Sequence, residues 1–164
     1  MTTFLLYALP PFAFGTSAYV FAGLLEPMAT DLSRPIPIIA QLQTVFAIAC
    51  ALGSPILARA TARYHRKALL LVVLLFLALT NLIAALAEGY TTLLIARVAG
   101  GFVGALATPI ASAMAVMAAP PEKRARALAV VVAGNTLAFL FGIPLGSVIG
   151  DAFGWRATFW LALT

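Results

Sequence analysis

Residues 127–150 read ALAVVVAGNTLAFLFGIPLGSVIG and contain no charged side chain. About 20 mostly apolar residues are enough to cross about 30 Å of hydrocarbon as an α-helix. Small residues recur at every fourth position and therefore share one helix face: Gly134, Ala138, Gly142, Gly146 and Gly150. Such a stripe lets two membrane helices approach closely, and Pro144 lacks an amide donor and should bend the helix. The spacing fits two roles equally well: a static packing face, or a face on which two helices rock against each other.

Similar apolar runs fill the rest of the 164-residue chain, which is 63% hydrophobic and 9% charged and has a mean hydropathy of +1.08. Soluble domains carry about 25% charged residues, so a soluble enzyme and a nucleic-acid-binding module are excluded. The predicted spans are 4–25, 37–58, 68–87, 91–118 and 127–150, with a sixth that is cut off at 157–164. Since backbone groups in lipid must bond internally, we expect an all-α membrane protein: five transmembrane helices plus the start of a sixth, in one partial bundle over 1–164.

The basic residues predict the orientation of this bundle. Seven of the ten Lys and Arg lie in two connections on one side of the membrane: Arg59, Arg63, Arg66, Lys67, Lys123, Arg124 and Arg126. Positively charged connections stay in the cytoplasm. We therefore expect a multi-pass protein of the inner (plasma) membrane with a cytoplasmic amino terminus.

Arg97 is the ionisable residue that lies well inside a predicted span. An arginine near the bilayer centre costs about 2.5–3.5 kcal/mol on insertion scales. Its side chain either extends to the outer interface or points into the bundle. The residues that follow it at steps of four are small and favour the inward orientation: Gly101, Ala105, Pro109 and Ala113. Glu26 or Asp31, near the same end of the first span, is the expected counter-charge.

The residues needed for catalysis are scarce in this sequence. It contains one histidine and one cysteine, and it has no carboxylate pair inside a predicted span and no Walker-type phosphate loop. We therefore expect no enzyme activity, no catalytic residues, no metal site and no cofactor. Uncharged polar residues inside the spans could line a cavity or bond between helices: Gln41, Gln43, Thr44, Asn81 and Asn135.

Three stretches resemble the Major Facilitator Superfamily, and most closely its drug and sugar efflux (drug:proton antiporter) branch. Residues 53–67, GSPILARATARYHRK, are similar to the family's signature between helices 2 and 3. Residues 93–105, LLIARVAGGFVGA, resemble its helix 4 pattern of one arginine followed by glycines. Residues 142–160, GIPLGSVIGDAFGWRATFW, resemble its helix 5 antiporter motif with a trailing Gly-Trp-Arg. The resemblance covers the amino-terminal half of that fold.

The resemblance implies secondary active transport, with efflux of a small organic solute such as a drug or sugar by alternating access. The residues it implies for transport and gating are Arg97, Gly142, Pro144, Gly146, Gly150 and Glu26. Those of the cytoplasmic loop motif are Gly53, Arg63, Arg66 and Lys67, and those of the extracytoplasmic loop motif are Gly154, Trp155 and Arg156.

The sequence departs from the family pattern at two carboxylates and in length. Ala62 occupies the acidic position of the loop signature, and Ala18 follows Gly15-Thr-Ser where a glutamate often stands, which leaves Glu26 as the carboxylate for proton coupling. Transporters of this kind hold their substrate between two helical halves. The expectation is a partial chain that works in the bilayer with a missing carboxy-terminal half or another half-transporter. The alternative is a small membrane protein without transport of its own, either a relic or a partner half-subunit.

Overall fold

The computed structural model describes residues 6–161, and every regular element in that range is helical. In chain order the helices are α1 (Leu9–Tyr19), α2 (Leu25–Asp31), α3 (Ile36–Ala60), α4 (Arg66–Ala85), α5 (Tyr90–Gly104), α6 (Ala107–Ala118), α7 (Arg124–Phe153) and α8 (Trp155–Leu161). Short 3-10 turns flank α1 at Leu6–Ala8 and Val20–Gly23, and another precedes α7 at Pro121–Lys123. The start of the first predicted span and the end of the sixth lie outside the described residues.

The lengths and compositions of these helices confirm an all-α membrane architecture. Four helical segments are long and apolar enough to cross a membrane: Ile36–Ala60, Arg66–Ala85, Tyr90–Ala118 and Pro121–Phe153. The bent pair Leu6–Gly23 and Leu25–Asp31 adds a fifth if it is counted as one span. The predicted number, five plus a sixth, therefore corresponds to four or five spans among residues 6–161, followed by the short helix α8.

The first span is broken, and the prediction of one helix over 4–25 followed by a loop is wrong. After α1 the chain passes through the 3-10 turn Val20–Gly23 and bends by 65° into α2. Pro27, in the first turn of α2, has no N–H to donate to a preceding carbonyl. The missing N–H is tolerated best in the first turn of a helix and so favours a helix start here, and the residues predicted as a loop begin with a second helix.

The span 91–118 is also interrupted, although it remains one span. Ala105 and Leu106 separate α5 from α6. Pro109 lies in the first turn of α6 and cannot donate to the carbonyl four residues earlier, which belongs to Ala105. Because a proline is tolerated best in the first turn of a helix, its position favours a helix start at this point.

The helices pack as neighbouring pairs around a shared core. The long helix α7 packs along α1, α3 packs along α5, and α8 contacts both α4 and α7. One core cluster joins the bent first span to α8 through Phe21, Leu24 and Phe159. Large apolar side chains such as Leu75 and Val148 are exposed on the outside, as expected for a surface that faces lipid.

The predicted stripe of small residues on α7 is confirmed as a packing face, because all five of its members are buried. A Cβ added at Gly146 would lie 2.7 Å from the backbone oxygen of Val20. A Cβ at Gly150 would collide with the Leu24 side chain. At Gly142 the nearest atom, Cβ of Tyr19, would be 3.7 Å away, an ordinary contact. A Cβ at Gly134 would collide with the backbone of Ala8, so the stripe is tight at both ends and has room for a methyl group at Gly142.

We therefore predict that Gly146→Ala lowers the thermal unfolding midpoint in detergent, with a loss of about 1–3 kcal/mol, the usual range for overpacking. Gly142→Ala is the matched control, since it adds the same methyl group on the same helix face without a close contact. Equal midpoints for the two variants would contradict this assignment of the tight crossing.

Candidate functional site

Arg97, on α5, is buried to 3% exposure, and its guanidinium is the centre of a polar cluster. Nη1 donates to the carbonyl oxygen of Ser17 over 2.9 Å, and Nη2 donates to Oε1 of Gln43 over 2.9 Å. The guanidinium carbon lies 4.3 Å from the ring centroid of Phe21 and 4.7 Å from that of Phe46. The inward orientation predicted for Arg97 is confirmed.

Local helix geometry explains how these partners meet. Ser17 belongs to the last turn of α1, where carbonyls lose their partners four residues ahead. Gln43 and Phe46 are three residues apart on α3 and therefore lie on one face of that helix. A single guanidinium thus joins the first span, α3 and α5.

The predicted counter-charge of Arg97 is wrong. Glu26 is exposed on α2, and Asp31 instead forms an ion pair with Arg156 over 2.8 Å. The hydrogen-bond acceptors of Arg97 are a backbone carbonyl and a side-chain amide, and within residues 6–161 its Nε has no hydrogen-bond partner. Neutral dipoles and aromatic faces therefore take the place of a carboxylate.

A fourth helix joins this cluster through Ser17. The Ser17 hydroxyl donates to Oδ1 of Asn81 on α4 over 2.7 Å, and both residues are buried. Ser17 therefore accepts from Arg97 through its backbone and donates to Asn81 through its side chain. We call this set of residues the Arg97 cluster: Ser17, Phe21, Gln43, Phe46, Asn81 and Arg97.

The same stretch of the first span also contacts α7. Segment 17–24 contacts Gly146 at Val20 and Gly150 at Leu24. The Arg97 cluster and the glycine stripe, predicted separately as transport and gating residues, therefore both contact segment 17–24. Pro144 is exposed and does not belong to this contact.

A second polar patch lies between α1 and α7 and includes Tyr19 of segment 17–24. Asn135 Nδ2 donates to the Tyr19 hydroxyl over 3.5 Å. The Tyr19 ring meets Phe139 edge to face with centroids 5.1 Å apart. Asn135 and Tyr19 are half-buried and Phe139 is exposed, so the patch offers aromatic and amide groups at the surface of the bundle.

The extracytoplasmic motif residues form a separate cluster where α2 ends and α8 begins. Asp31 Oδ2 accepts from Nε1 of Trp155 over 3.0 Å and from Nη1 of Arg156 over 2.8 Å. Arg156 also donates to the carbonyl oxygen of Ala87 from Nε and Nη2 over 3.1 and 3.0 Å. Gly154 has a φ of +81° and turns the chain between α7 and α8, because glycine adopts this conformation without steric cost. The cluster ties α2 and α8 to the end of α4.

The loop-motif residues divide between two locations. Gly53 is buried inside α3, where an added Cβ would collide with the backbone of Phe102 on α5. Arg63, Arg66 and Lys67 are exposed at the end of the bundle where α4 begins. The glycine therefore serves the α3–α5 contact, whereas the three cations form a charged surface.

Several helices that are membrane-spanning by length and apolarity, with an arginine buried among them, define a multi-pass membrane protein. Residues 11–164 match the Major Facilitator Superfamily, and the chain belongs to that family.

Relatives include an uncharacterized MFS-type transporter, YtbD, of Bacillus subtilis, which is 35% identical over 93% of this chain and 38% of its own length. A probable sugar efflux transporter of Mannheimia succiniciproducens is 32% identical over 94% of this chain and 39% of its own. A chloramphenicol resistance protein of Streptomyces lividans is 34% identical over 90% of this chain and 38% of its own length. The chain thus spans about two fifths of the length of these relatives.

The fold is similar to that of solved transporters. The inward-open xylose transporter XylE from E. coli superposes with a TM-score of 0.78 at 17% identity, covering 99% of this chain and 44% of that one. A D-xylose-proton symporter structure gives a TM-score of 0.75 at 18% identity. The match covers 98% of this chain and 44% of that one. At this identity the likeness establishes the fold.

We predict that Gln43→Leu destabilises the bundle by about 1–3 kcal/mol, because it leaves a buried charged donor of Arg97 without its acceptor. Thermal unfolding in detergent measures the loss. Gln41→Leu makes the same replacement at an exposed position of the same helix and should leave the midpoint unchanged. A Gln43→Leu protein as stable as the Gln41→Leu control would show that the amide does not compensate the buried charge.

Proposed function

We propose that this chain forms one helical half of a secondary transporter that exports a small organic solute, a drug or a sugar, across the plasma membrane by alternating access. Membership of the Major Facilitator Superfamily supports transport. The names of two relatives, a probable sugar efflux transporter and a chloramphenicol resistance protein, support efflux and the solute class.

The observation that carries the proposal is the position of Arg97 against segment 17–24. Alternating access requires elements that can change between discrete packings. Segment 17–24 leaves α-helical geometry at the 3-10 turn Val20–Gly23 and bends at its end, so less regular hydrogen bonding has to be rearranged there than within α3 or α7. Arg97 and Gly146 both contact this segment and would influence the angle at which it bends into α2.

The proposal includes a second helical unit as partner. Family transporters bind substrate between two halves near the middle of the membrane, so this chain supplies one wall of the cavity. The aromatic and amide groups of Tyr19, Asn135 and Phe139 are suitable wall residues for a polar or aromatic solute. The bilayer and the solute are the other partners.

Energy would come from a proton gradient, with no bound cofactor. Of the two carboxylates in the bent first span, Asp31 is paired with Arg156, whereas Glu26 is exposed at the start of α2. From this position it would exchange protons with the solution near the outer end of the bundle. Proton coupling through Glu26 is thus a part of the proposal that can fail independently of solute export.

In the complete gene product, we predict that Arg97→Ala abolishes at least about nine tenths of export, because three spans lose their common hydrogen-bonded centre. Accumulation of a labelled solute in whole cells, at matched protein levels in the membrane, measures this. Arg34→Ala removes an exposed cation outside the cluster and should retain export. Unchanged export by an Arg97→Ala protein present at normal levels would reject the role of this residue.

The proposed orientation places the basic end of the bundle in the cytoplasm. In a Cys50→Ala background, we predict that Arg34→Cys reacts with a membrane-impermeant maleimide in intact cells. Lys123→Cys, at the other end, should react only after permeabilisation. The reverse labelling pattern would overturn the cytoplasmic amino terminus.

A further inference from the structure

The basic end of the bundle contains a cleft that the transport proposal does not use. Its volume is about 440 Å³, and it lies between the 3-10 turn Leu6–Ala8, the start of α4 and the end of α6. Residues that line it include Tyr7, Tyr64, His65, Arg66, Met114 and Met117. We infer that this cleft binds the phosphate group of an anionic phospholipid.

Four of the residues that line the cleft have side chains with hydrogen-bond donors. Arg66 contributes a guanidinium, His65 an imidazole, and Tyr7 and Tyr64 two phenol hydroxyls. Arg66 is also the first residue of α4, and no side chain caps that helix end. The first-turn amides of α4 therefore lack intrahelical partners and add the positive end of the helix dipole. These groups suit a phosphate anion.

Charge around the cleft is not balanced by the protein. The connection 59–67 contains Arg59, Arg63, Arg66 and Lys67 but neither aspartate nor glutamate, and Ala62 stands in the acidic position of the family pattern. Glu122, the acidic residue at this end of the bundle, is exposed on the turn before α7 and does not line the cleft. An external anion would therefore complement the cleft.

The remaining lining residues, which are apolar, show why the anion should be a lipid. Met114 and Met117 are among them, and Met117 is 72% exposed next to the apolar outer surface of the bundle. Tyr64 is 69% exposed, and tyrosines are enriched at the level of lipid headgroups. Basic pockets between membrane helices at this depth bind anionic headgroups. A free phosphate would contact the polar lining residues alone, whereas a phospholipid would also contact the two methionines.

The test is native mass spectrometry of the complete gene product in a neutral detergent, titrated with phosphatidylglycerol or phosphatidylcholine. We expect a preference for phosphatidylglycerol. Arg66→Gln should weaken its binding about fivefold, the effect of one basic residue at an anionic surface. Lys123→Gln removes the same charge at the same end of the bundle but outside the cleft lining, and should change binding less than about twofold.

A second pair of measurements separates the lipid from a free anion. Met117→Gln, at an exposed position, should weaken phosphatidylglycerol binding and leave the binding of glycerol phosphate unchanged. Three results would overturn the inference: no preference for phosphatidylglycerol, equal losses in Arg66→Gln and Lys123→Gln, or glycerol phosphate binding as tightly as the lipid. The last would indicate a site for soluble phosphates.

Discussion

The rest of the bundle is arranged around a positive charge that solvent does not reach. Placing an arginine in the membrane costs about 2.5–3.5 kcal/mol on insertion scales. A hydrogen bond to a charged group returns about 1.5–3 kcal/mol, and a desolvated cation–π contact returns about 2 kcal/mol. Arg97 makes two such hydrogen bonds and faces two rings, which is enough to offset the cost. Those four contacts come from two other spans, so burial of the charge favours the association of all three spans.

The same requirement explains why the first span is irregular. A carbonyl inside an unbroken α-helix already accepts one bond from the helix, whereas that of Ser17, in the last turn of α1, is not shared with a helical amide four residues ahead. Beyond Ser17, the glycines of α7 allow close approach at Val20 and Leu24. Next to the break, Ser17 accepts from Arg97, and Val20 and Leu24 pack against α7. Two motifs more than forty residues apart in sequence, around Arg97 and around Gly146, depend on one segment of about eight residues.

The sequence predicted the all-α membrane architecture and the buried face of α7, because both depend on patterns of apolar and small residues along one helix. Arg97 was expected inside for the same reason. Its partners were not predicted, because Ser17 contributes a backbone oxygen and Phe21 a ring, and neither differs in sequence from ordinary span residues. Asp31 was an attractive counter-charge by sign alone, but Trp155 and Arg156 lie beside it at the end of the bundle and bind it there.

The absence of a carboxylate partner for Arg97 within residues 6–161 has a consequence for the proposed mechanism. Carbonyl, amide and aromatic groups do not titrate, so the hydrogen bonds of the Arg97 cluster do not change when a proton arrives. A proton-linked transition must then begin at another group, and Ala18 and Ala62 remove two positions where the family pattern places one. Under the proposed function, Glu26 of the first span and the carboxylates of a second helical unit are the candidates for that group. Under the proposed function, the Arg97 cluster sets the packing that is switched, and the proton acts on it from outside.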